Sequence, residues 1–419
     1  MEINVSSLSV FYLSKCLALA PISIQQNDKG VLKIRRSKSF TIYSLVLGTT
    51  LVTLAYEGLI YDANAELPLR MKSPTSKVVT ALDITVVVLS CVAGIGCSLF
   101  SVKPTQELNS RLRKFDGTIH CLCNTKRDRI ISRIMAIMPV TLSGALIGFD
   151  IWTWVLQAEL DAKDAKNNVK WYLPLYGLYF ILIAFHVLFA NTAFGLGRRF
   201  RRLNTMLKTN YLADQTHFGL LMNRVHSIKI TSDQAMSLHA SLDNLNTDIF
   251  SKEAFVKTRI VLLRSIADNY ESLSKCVQIF SNAYGVAILC ILVSCLLHLV
   301  VTAYFLFLAL LNRDVTGHVW SQAFWILLHV IRLLLVVEPC HSTMAESKKT
   351  IQIVSEIERK SHEPILAEEI KKFWQQLLVI DVEFSALGLC RINRNILTSF
   401  SSAIATYLVI LIQFQNNGG

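Results

Sequence analysis

Charged residues are scarce in this chain of 419 residues: Asp, Glu, Lys and Arg make up 17% of it, whereas hydrophobic residues make up 52%. The mean hydropathy is +0.43. Because a typical soluble domain carries about 25% charged residues, this composition excludes an ordinary soluble enzyme or binding module. Apolar runs of roughly 20 residues, the length that crosses a hydrocarbon core, recur from near residue 40 to the last residues. The composition therefore predicts an integral membrane protein.

Signatures of catalysis and of metal binding are also missing. No Ser-His-Asp arrangement, phosphate-binding glycine loop or paired-acid site stands out, so we expect neither an enzyme nor a cofactor. The ten cysteines fall within apolar spans or in stretches that we assign to the cytosol, which argues against a disulfide framework. Cys121 and Cys123 lack a second ligand pair at zinc spacing, so no metal is expected. His186 and His298 are expected to hydrogen-bond within the helix bundle.

The apolar runs predict seven spans, each an α-helix because an unpaired backbone is prohibitive in lipid. These spans lie near residues 40–62, 78–102, 131–157, 171–197, 277–311, 319–340 and 396–414. The stretches 198–276 and 341–395 have helical spacing of apolar residues and are predicted to be cytosolic helical extensions. Within the second stretch, 371–388 is expected to be an amphipathic helix that leads into the last span. Because we find no internal repeat or linker, residues 1–419 are predicted to form one membrane domain.

The distribution of basic residues predicts the orientation. Of the 42 Lys and Arg residues, 34 lie in the N-terminal arm and in 103–133, 198–276 and 341–395, whereas the alternate loops hold 7. Cytoplasmic loops carry an excess of Lys and Arg, so the N-terminus is predicted to be cytoplasmic and the C-terminus extracellular. This orientation is opposite to that of G-protein-coupled receptors. The net charge of +12 then indicates contact with membrane lipids, and no nucleic-acid partner is expected.

One dense group of basic residues directly follows the fourth span. It consists of Arg198, Arg199, Arg201 and Arg202. We interpret these residues as cytoplasmic charges at the membrane surface.

The last span carries a stripe of residues spaced three or four apart, which share one helix face. The stripe consists of Thr398, Ser402, Thr406, Ile410 or Val409, and Gln413. Two interpretations stay open: the small residues let helices pack closely, or the stripe lines water. One helix cannot enclose a pore, so the second interpretation requires several copies of the chain, most simply four. Gln413 and Phe414 would then lie near the outer mouth, where an apolar constriction can stop ions by dewetting.

The predicted outer halves of several spans are unusually polar and aromatic. Asp83 and Asp150 are the most informative, because a carboxylate within a span is costly unless it faces a partner or a wet cavity. Further hydrogen-bonding and aromatic groups there are Thr302, Tyr304, Gln322 and Trp325. Together these side chains suit a neutral polyhydroxy ligand. The alternative, in which the two acids only make interhelical hydrogen bonds, stays open.

Two charged residues of the sixth span receive a structural interpretation. Arg332 and Glu338 lie six residues apart, and we expect them to pair with each other or to contact the inner helix bundle. We do not expect either residue to contact a ligand.

A short motif ends the last span: Thr406-Tyr407, the five hydrophobic residues LVILI, then Gln413-Phe414. It resembles the signature of the insect gustatory receptor family. The strings SKVVTALD, FANTAFGLGRRF, LVSCLLHLVVTAYFLFL, VVEPCH and the run from KKFWQQLL to LIQFQ resemble the fructose-sensing receptors of flies within that family. The resemblance extends over nearly the whole chain and is weakest in 198–276.

The resemblance implies an all-α integral membrane protein of the insect chemoreceptor-channel type. It implies a homotetrameric, sugar-gated, nonselective cation channel in the plasma membrane of chemosensory neurons. The implied partners are D-fructose or a similar monosaccharide, permeating Na⁺, K⁺ and Ca²⁺, and membrane lipids.

The resemblance also implies where the sugar and the gate lie. The family's Thr-x-Tyr and Gln-x-x-Trp spacings of the sugar pocket fall on Thr302 with Tyr304 and on Gln322 with Trp325. The implied ligand-binding set is completed by Asp83, Asp150, Trp154 and Tyr176. The implied pore and gate residues are Thr398, Ser402, Thr406, Ile410, Gln413 and Phe414.

Two other classes of function remain as alternatives. A metabotropic seven-helix receptor would signal through a soluble partner, and it would place its N-terminus outside. A sugar transporter would accumulate its ligand without current, although the chain shows none of the internal repeat common in transporters.

Overall fold

The computed structural model describes residues 1–4, 6–26, 32–65, 68, 70–71, 74–118, 125–160, 169–212, 248–311, 316–361 and 363–417. Its helices are α1 (Leu8–Cys16), α2 (Lys38–Asn64), α3 (Pro74–Phe100), α4 (Val102–Thr118), α5 (Thr125–Leu160), α6 (Leu173–Leu207), α7 (Asp248–Leu311), α8 (Thr316–Lys360), α9 (Pro364–Val379) and α10 (Asn395–Asn417). A 3₁₀ turn, Lys170–Tyr172, precedes α6, and a π turn, Lys208–Leu212, follows it.

Two short antiparallel hairpins complete the described secondary structure. Strands β1 (Ile22–Gln26) and β2 (Leu32–Arg36) pair from Ile22 with Arg36 to Gln26 with Leu32. Strands β3 (Ser385–Ala386) and β4 (Cys390–Arg391) pair from Ser385 with Arg391 to Ala386 with Cys390.

Among the residues that the structure describes, seven helices are long and apolar enough to cross a membrane. They are α2, α3, α5, α6, α7, α8 and α10. This finding confirms the mostly helical fold with seven membrane helices. An α-helix pairs its backbone groups within its own segment, and this is what the hydrocarbon interior demands.

Proline and serine mark where several of these helices begin. Pro74 and Pro364 are the first residues of α3 and α9, and Pro174 is the second residue of α6. Proline is favourable there because the first N–H groups of a helix lack an intrahelical acceptor anyway. At the start of α2 the side chain of Ser37 accepts the N–H of Phe40 at 3.4 Å, and this satisfies one of the unpaired donors.

Helix α6 forms the centre of the bundle, and α2 and α10 lie at its periphery. In their most apolar windows, 78% of α6 is buried, compared with 11% of α2 and 6% of α10. The main neighbour of α6 is α8. A Cβ at Gly197 would lie 2.7 Å from Oγ1 of Thr343, so a side chain there would push α6 and α8 apart.

Helix α7 is far longer than a bilayer is thick. Its 64 residues correspond to about 96 Å of α-helix, whereas the hydrocarbon core measures about 30 Å. A large part of α7 must therefore lie outside the lipid. The rest of the stretch 198–276 contains the end of α6, and residues 213–247 lie outside the described residues.

The predicted helix 371–388 is wrong in its C-terminal half. Helix α9 ends at Val379, and the chain then turns through β3 and β4. Leu387 and Gly388 have φ values of 56° and 74°, in the left-handed region that a right-handed helix cannot contain. Glu383 forms an ion pair at 2.9 Å with Arg391. Its charge partner therefore lies on β4 of the hairpin and not on the polar face of a helix.

The N-terminal residues pack among the helices. Oε1 of Glu2 lies 2.9 Å from Nη2 of Arg199 on α6. Arg199 also donates to both carboxylate oxygens of Asp116 on α4, at 2.9 and 2.5 Å. Only 3% of the Arg199 side chain and 2% of the Glu2 side chain are exposed. This buried ion network ties the first residues to α4 and α6.

Candidate functional site

Asp150 lies at the centre of a buried polar cluster where α5, α6 and α8 meet. Its Oδ2 accepts a hydrogen bond from the Tyr176 hydroxyl and its Oδ1 accepts one from the Ser321 hydroxyl, each at 2.5 Å. Nη2 of Arg70 lies 3.4 Å from Oδ2. Since Asp150 is only 1% exposed, its charge depends on these partners. The predicted intramembrane acid therefore connects three helices.

Arg70 reaches this cluster from the connection between α2 and α3. Its guanidinium carbon lies 4.7 Å from the Tyr172 ring centroid and 5.2 Å from that of Trp154. Burial acts to lower the pKa of Arg70, but its neighbours, chiefly Tyr176 and Asp150, outweigh burial and raise that pKa. Arg70 is therefore cationic, and the aromatic rings and Asp150 compensate its charge.

A column of stacked rings continues from this cluster into the bundle. Trp325 stacks on Tyr176 with centroids 6.5 Å apart and on His329 with centroids 5.7 Å apart. Tyr179 contacts Trp325 at 5.0 Å, and His329 stacks on His298 at 4.7 Å. Trp325 is thus a predicted pocket residue that forms part of a continuous aromatic wall.

A second polar cluster lies at the far end of this column. Nε2 of His298 lies 3.2 Å from Oδ1 of Asp83, and Arg332 donates to Nδ1 of His329 at 2.9 Å and to the Ser294 hydroxyl at 3.2 Å. Asp83 therefore has an interhelical partner, as one of the two interpretations of the buried acids requires. His186 binds the carbonyl of Leu182 at 2.6 Å, within its own helix.

Of the two alternatives for Arg332 and Glu338, the structure excludes pairing with each other and places Arg332 in contact with the inner helix bundle. Glu338 accepts two hydrogen bonds from Arg394, both at 2.9 Å, whereas Arg332 belongs to the second polar cluster. Six residues correspond to about 600° of helix rotation, so the two side chains project from different faces of α8. Arg332 points into the bundle and is 1% exposed.

The remaining predicted pocket residues lie on the helices that carry the clusters. The Thr302 hydroxyl donates to the carbonyl of His298 at 2.6 Å, and Tyr304 is 1% exposed beside Phe305. Gln322 directly follows Ser321 and is 9% exposed. Asp150, Trp154, Tyr176 and Trp325 are thus linked by contacts with Arg70 and with one another, and Asp83 joins them through the rings.

The polar stripe of the last span lies on the exposed surface of this single chain. All members of the stripe are exposed: Thr398, Ser402, Thr406, Ile410 and Gln413. The hydroxyls of Thr398 and Thr406 donate to the carbonyls of Asn395 and Ser402 at 2.8 and 3.0 Å. The helix continues through Phe414, whose side chain is outside the described part of the chain.

The described part of the chain contains no candidate metal site. Nowhere in it do three or more His, Cys, Asp or Glu residues come together to hold an ion. Cys121 and Cys123 lie outside the described residues.

Sequence reasoning missed several residues of the two clusters. They are Arg70, Tyr172, Ser321 and His329. Serine, histidine and tyrosine near the end of an apolar span carry no signal that separates a site from a packing contact. Arg70 did carry one, because it is a basic residue in a loop that the charge asymmetry predicts to be poor in basic residues.

The chain is similar to known proteins over nearly its whole length. A family model described as 7tm Chemosensory receptor matches residues 8–417. The chain is 54% identical over 427 aligned positions to the gustatory receptor for sugar taste 43a of Drosophila melanogaster, with 100% of both chains covered. It is 38% identical over 96 residues to the fly's gustatory and pheromone receptor 32a, which covers 23% of this chain and 20% of that one.

A solved structure has a similar fold. The insect olfactory receptor OR5 from Machilis hrabei, in complex with eugenol, matches with a TM-score of 0.62 over 96% of each chain. The sequence identity is 11%, so this likeness concerns the fold alone.

Proposed function

This chain belongs to the 7tm chemosensory receptor family, and from that premise we propose that it is a sugar-gated, nonselective cation channel. We propose D-fructose or a similar monosaccharide as the ligand and Na⁺, K⁺ and Ca²⁺ as the permeating ions. The full-length similarity to a sugar-taste receptor supports the ligand class. The chemistry of the buried clusters supports it independently.

The observation that carries the proposal is the polar cluster around Asp150 with its aromatic walls. A sugar presents hydroxyls that need donors and acceptors, and it presents C–H faces that pack on rings. The cluster offers carboxylate, hydroxyl and guanidinium groups through Asp150, Tyr176 and Arg70. Trp325 and Trp154 supply the ring faces next to them. A neutral polyhydroxy ligand fits this combination better than a purely apolar odorant would.

The pore is proposed to form between copies of the chain. Helix α10 exposes a stripe of hydroxyl and amide groups, and only 6% of its apolar window is buried. Exposed to lipid, such a stripe would lose the favourable contacts with water that its hydroxyls and amide make. Four chains around one axis would let these faces line a common aqueous path. We propose a homotetramer with Gln413 and Phe414 at its outer constriction.

The energetics of gating are compatible with weak sugar binding. Shifting a channel from 1% to 99% open takes about 5.5 kcal/mol of differential binding energy. If four pockets contribute equally, each must favour the open state by about 1.4 kcal/mol, a tenfold difference in affinity. A ligand of millimolar affinity binds with about 4 kcal/mol, so a third of that energy is sufficient.

The decisive experiment is current recording from cells that express this chain alone. We expect D-fructose at millimolar concentration to open an inward cation current that reverses near 0 mV. A surface-expressed protein that gives no current would contradict the proposal. Fructose accumulation without current would instead support the transporter, and a response abolished by blocking G proteins would support the metabotropic receptor.

We further propose that the protein lies in the plasma membrane of chemosensory neurons with its N-terminus in the cytoplasm. Epitope tags at the two ends, probed before and after permeabilisation, measure this orientation. We expect the C-terminal tag to be labelled in intact cells. Labelling of the N-terminal tag in intact cells would reverse the orientation and favour the metabotropic receptor.

A further inference from the structure

Asp62, in the last turn of α2, anchors the connection between α2 and α3. Oδ2 of this residue accepts the backbone N–H groups of Arg70 and Met71, at 3.2 and 3.3 Å. The hydroxyl of Tyr172, at the start of α6, donates to the same oxygen at 2.7 Å. Asp62 and Met71 are 4% and 2% exposed. The backbone at Arg70 is therefore fixed, and it directs the Arg70 side chain toward Asp150.

Arg70 is held only loosely by its present partners. Its Nη2 lies 3.4 Å from Asp150 Oδ2 and 3.2 Å from the Tyr176 hydroxyl, longer than the 2.7–2.9 Å typical of charge-assisted hydrogen bonds. The carboxylate of Asp150 has much shorter bonds to Tyr176 and Ser321. The guanidinium therefore retains capacity to bind another acceptor.

Two buried donors beside each other have no hydrogen-bond partner. They are Nε of Arg70 and Nε1 of Trp154. The guanidinium carbon lies 5.2 Å from the Trp154 ring centroid, so the two side chains that carry these donors are in contact. A buried unpaired donor is unfavourable, and two of them together call for a ligand with acceptor oxygens.

We propose that Arg70 and Trp154 form a donor pair that binds neighbouring oxygen atoms of the sugar. This inference rests on the proposed function and adds to it a residue, Arg70, that is absent from the expected ligand-binding set. The pair accepts a ligand with two oxygens close together, such as adjacent hydroxyls of a monosaccharide. It disfavours an analogue that lacks one of them, because the charged donor would be left unpaired.

The experiment compares dose–response curves for D-fructose and its monodeoxy analogues in the full-length channel. In the unaltered channel, we expect at least one analogue to have a half-maximal concentration about tenfold to a hundredfold higher than that of fructose, the effect of losing one hydrogen bond to a charged group. In Arg70→Met we expect fructose itself to weaken to a similar degree. That same analogue should then be nearly equivalent to fructose, because the discriminating donor is gone.

Two further variants separate a ligand contact from a structural role. Arg70→Lys keeps a cation opposite Asp150, so the site stays charge-balanced, but it lacks the planar donor fork. We expect Arg70→Lys to reach the surface and to lose the discrimination between fructose and the analogue. Lys77→Met, which removes an exposed cation at the start of α3, is the matched control and should leave both curves within twofold of the unaltered channel.

The outcomes distinguish this inference from the proposed function. If the unaltered channel gives no fructose current, the proposed function fails. If it responds, yet Arg70→Met and Arg70→Lys keep its full pattern of analogue discrimination, the donor pair is refuted while the channel stands. Loss of discrimination in Arg70→Lys with normal surface expression supports the donor pair, whatever the folding of Arg70→Met.

Discussion

The ion network of Glu2, Arg199 and Asp116 makes a quantitative prediction about stability. We consider Arg199→Met, which keeps an unbranched apolar side chain in place of the arginine stem and removes its charge. In the folded protein Glu2 would keep a carboxylate that is 2% exposed but lose its cation. Breaking a buried ion pair by removing one partner costs about 3–5 kcal/mol, because the remaining charge is uncompensated. The variant should therefore be strongly destabilised.

The chain offers a matched control in Arg111. This residue pairs with Glu107 one helical turn away on α4, at 2.8 Å, and the two side chains are 35% and 52% exposed. An exposed pair of this kind contributes about 0.3–0.5 kcal/mol. Arg111→Met should thus cost roughly a tenth of what Arg199→Met costs, although both replace an ion-paired arginine with methionine.

A third variant tests the physical cause. Glu2→Gln removes the charge that Arg199→Met would leave unpaired, so the double variant should recover part of the loss, with a coupling energy of about 0.5–3 kcal/mol. The assay is the loss of assembled protein on a size-exclusion column after heating in detergent. Equal losses for Arg199→Met and Arg111→Met, or additive effects in the double variant, would refute the reasoning.

Three other predictions concern the pocket and the gate. Phe414→Ala should raise the current recorded without ligand, and an unchanged basal current at normal surface expression would remove Phe414 from the constriction. Gln322→Ala should shift the fructose dose–response curve while size-exclusion profiles stay the same, and an unaltered curve would exclude Gln322 from the site. Trp325→Ala should raise the half-maximal fructose concentration about tenfold or more, because aromatic contacts worth about 0.5–1.5 kcal/mol each are lost. Phe324→Ala removes an exposed ring of the same helix (42% exposed) and should have little effect on the curve. If both variants shift the half-maximal fructose concentration equally, Trp325 is not a specific sugar contact.

The seven membrane helices could be predicted from the sequence because their cause is local. Each requires only a long apolar run, and the lipid then imposes the helix. The break after Val379 was harder to foresee. Residues 371–388 have an amphipathic pattern that suits a helix, but Leu387 adopts a left-handed conformation that its sequence context does not require. The hairpin is also held by a contact distant in sequence, because Ser385 exchanges two hydrogen bonds of 2.9 Å with Ser281 of α7.

The same distinction between local causes and contacts with other parts of the chain applies to the residues of the site. Asp150 could be identified because a carboxylate in an apolar span is costly wherever it lies. The sequence marks Arg70 only as a basic residue in a loop expected to be poor in them. Its contact with Asp150 could not be predicted, since that contact depends on a connection that Asp62 anchors against the start of α6. Arg199 shows the converse error. Counted as a surface charge by the orientation rule, it is buried between two carboxylates, so a basic residue at the end of a span can be part of the core.

The burial of the seven helices bears directly on how the chain must assemble. A subunit that functioned alone in lipid would place its polar side chains inward, as α5 and α8 do here with Asp150 and Arg332 bonded to neighbours. Helix α10 does the opposite, because Ser402, Thr406 and Gln413 are exposed on a helix that is itself peripheral. The hydroxyl of Thr406 bonds the backbone of its own helix, but the amide of Gln413 cannot be fully satisfied in that way. In the proposed homotetramer, other copies of the chain with water between them would give that amide its partners, which is why we propose α10 as the helix that lines the pore.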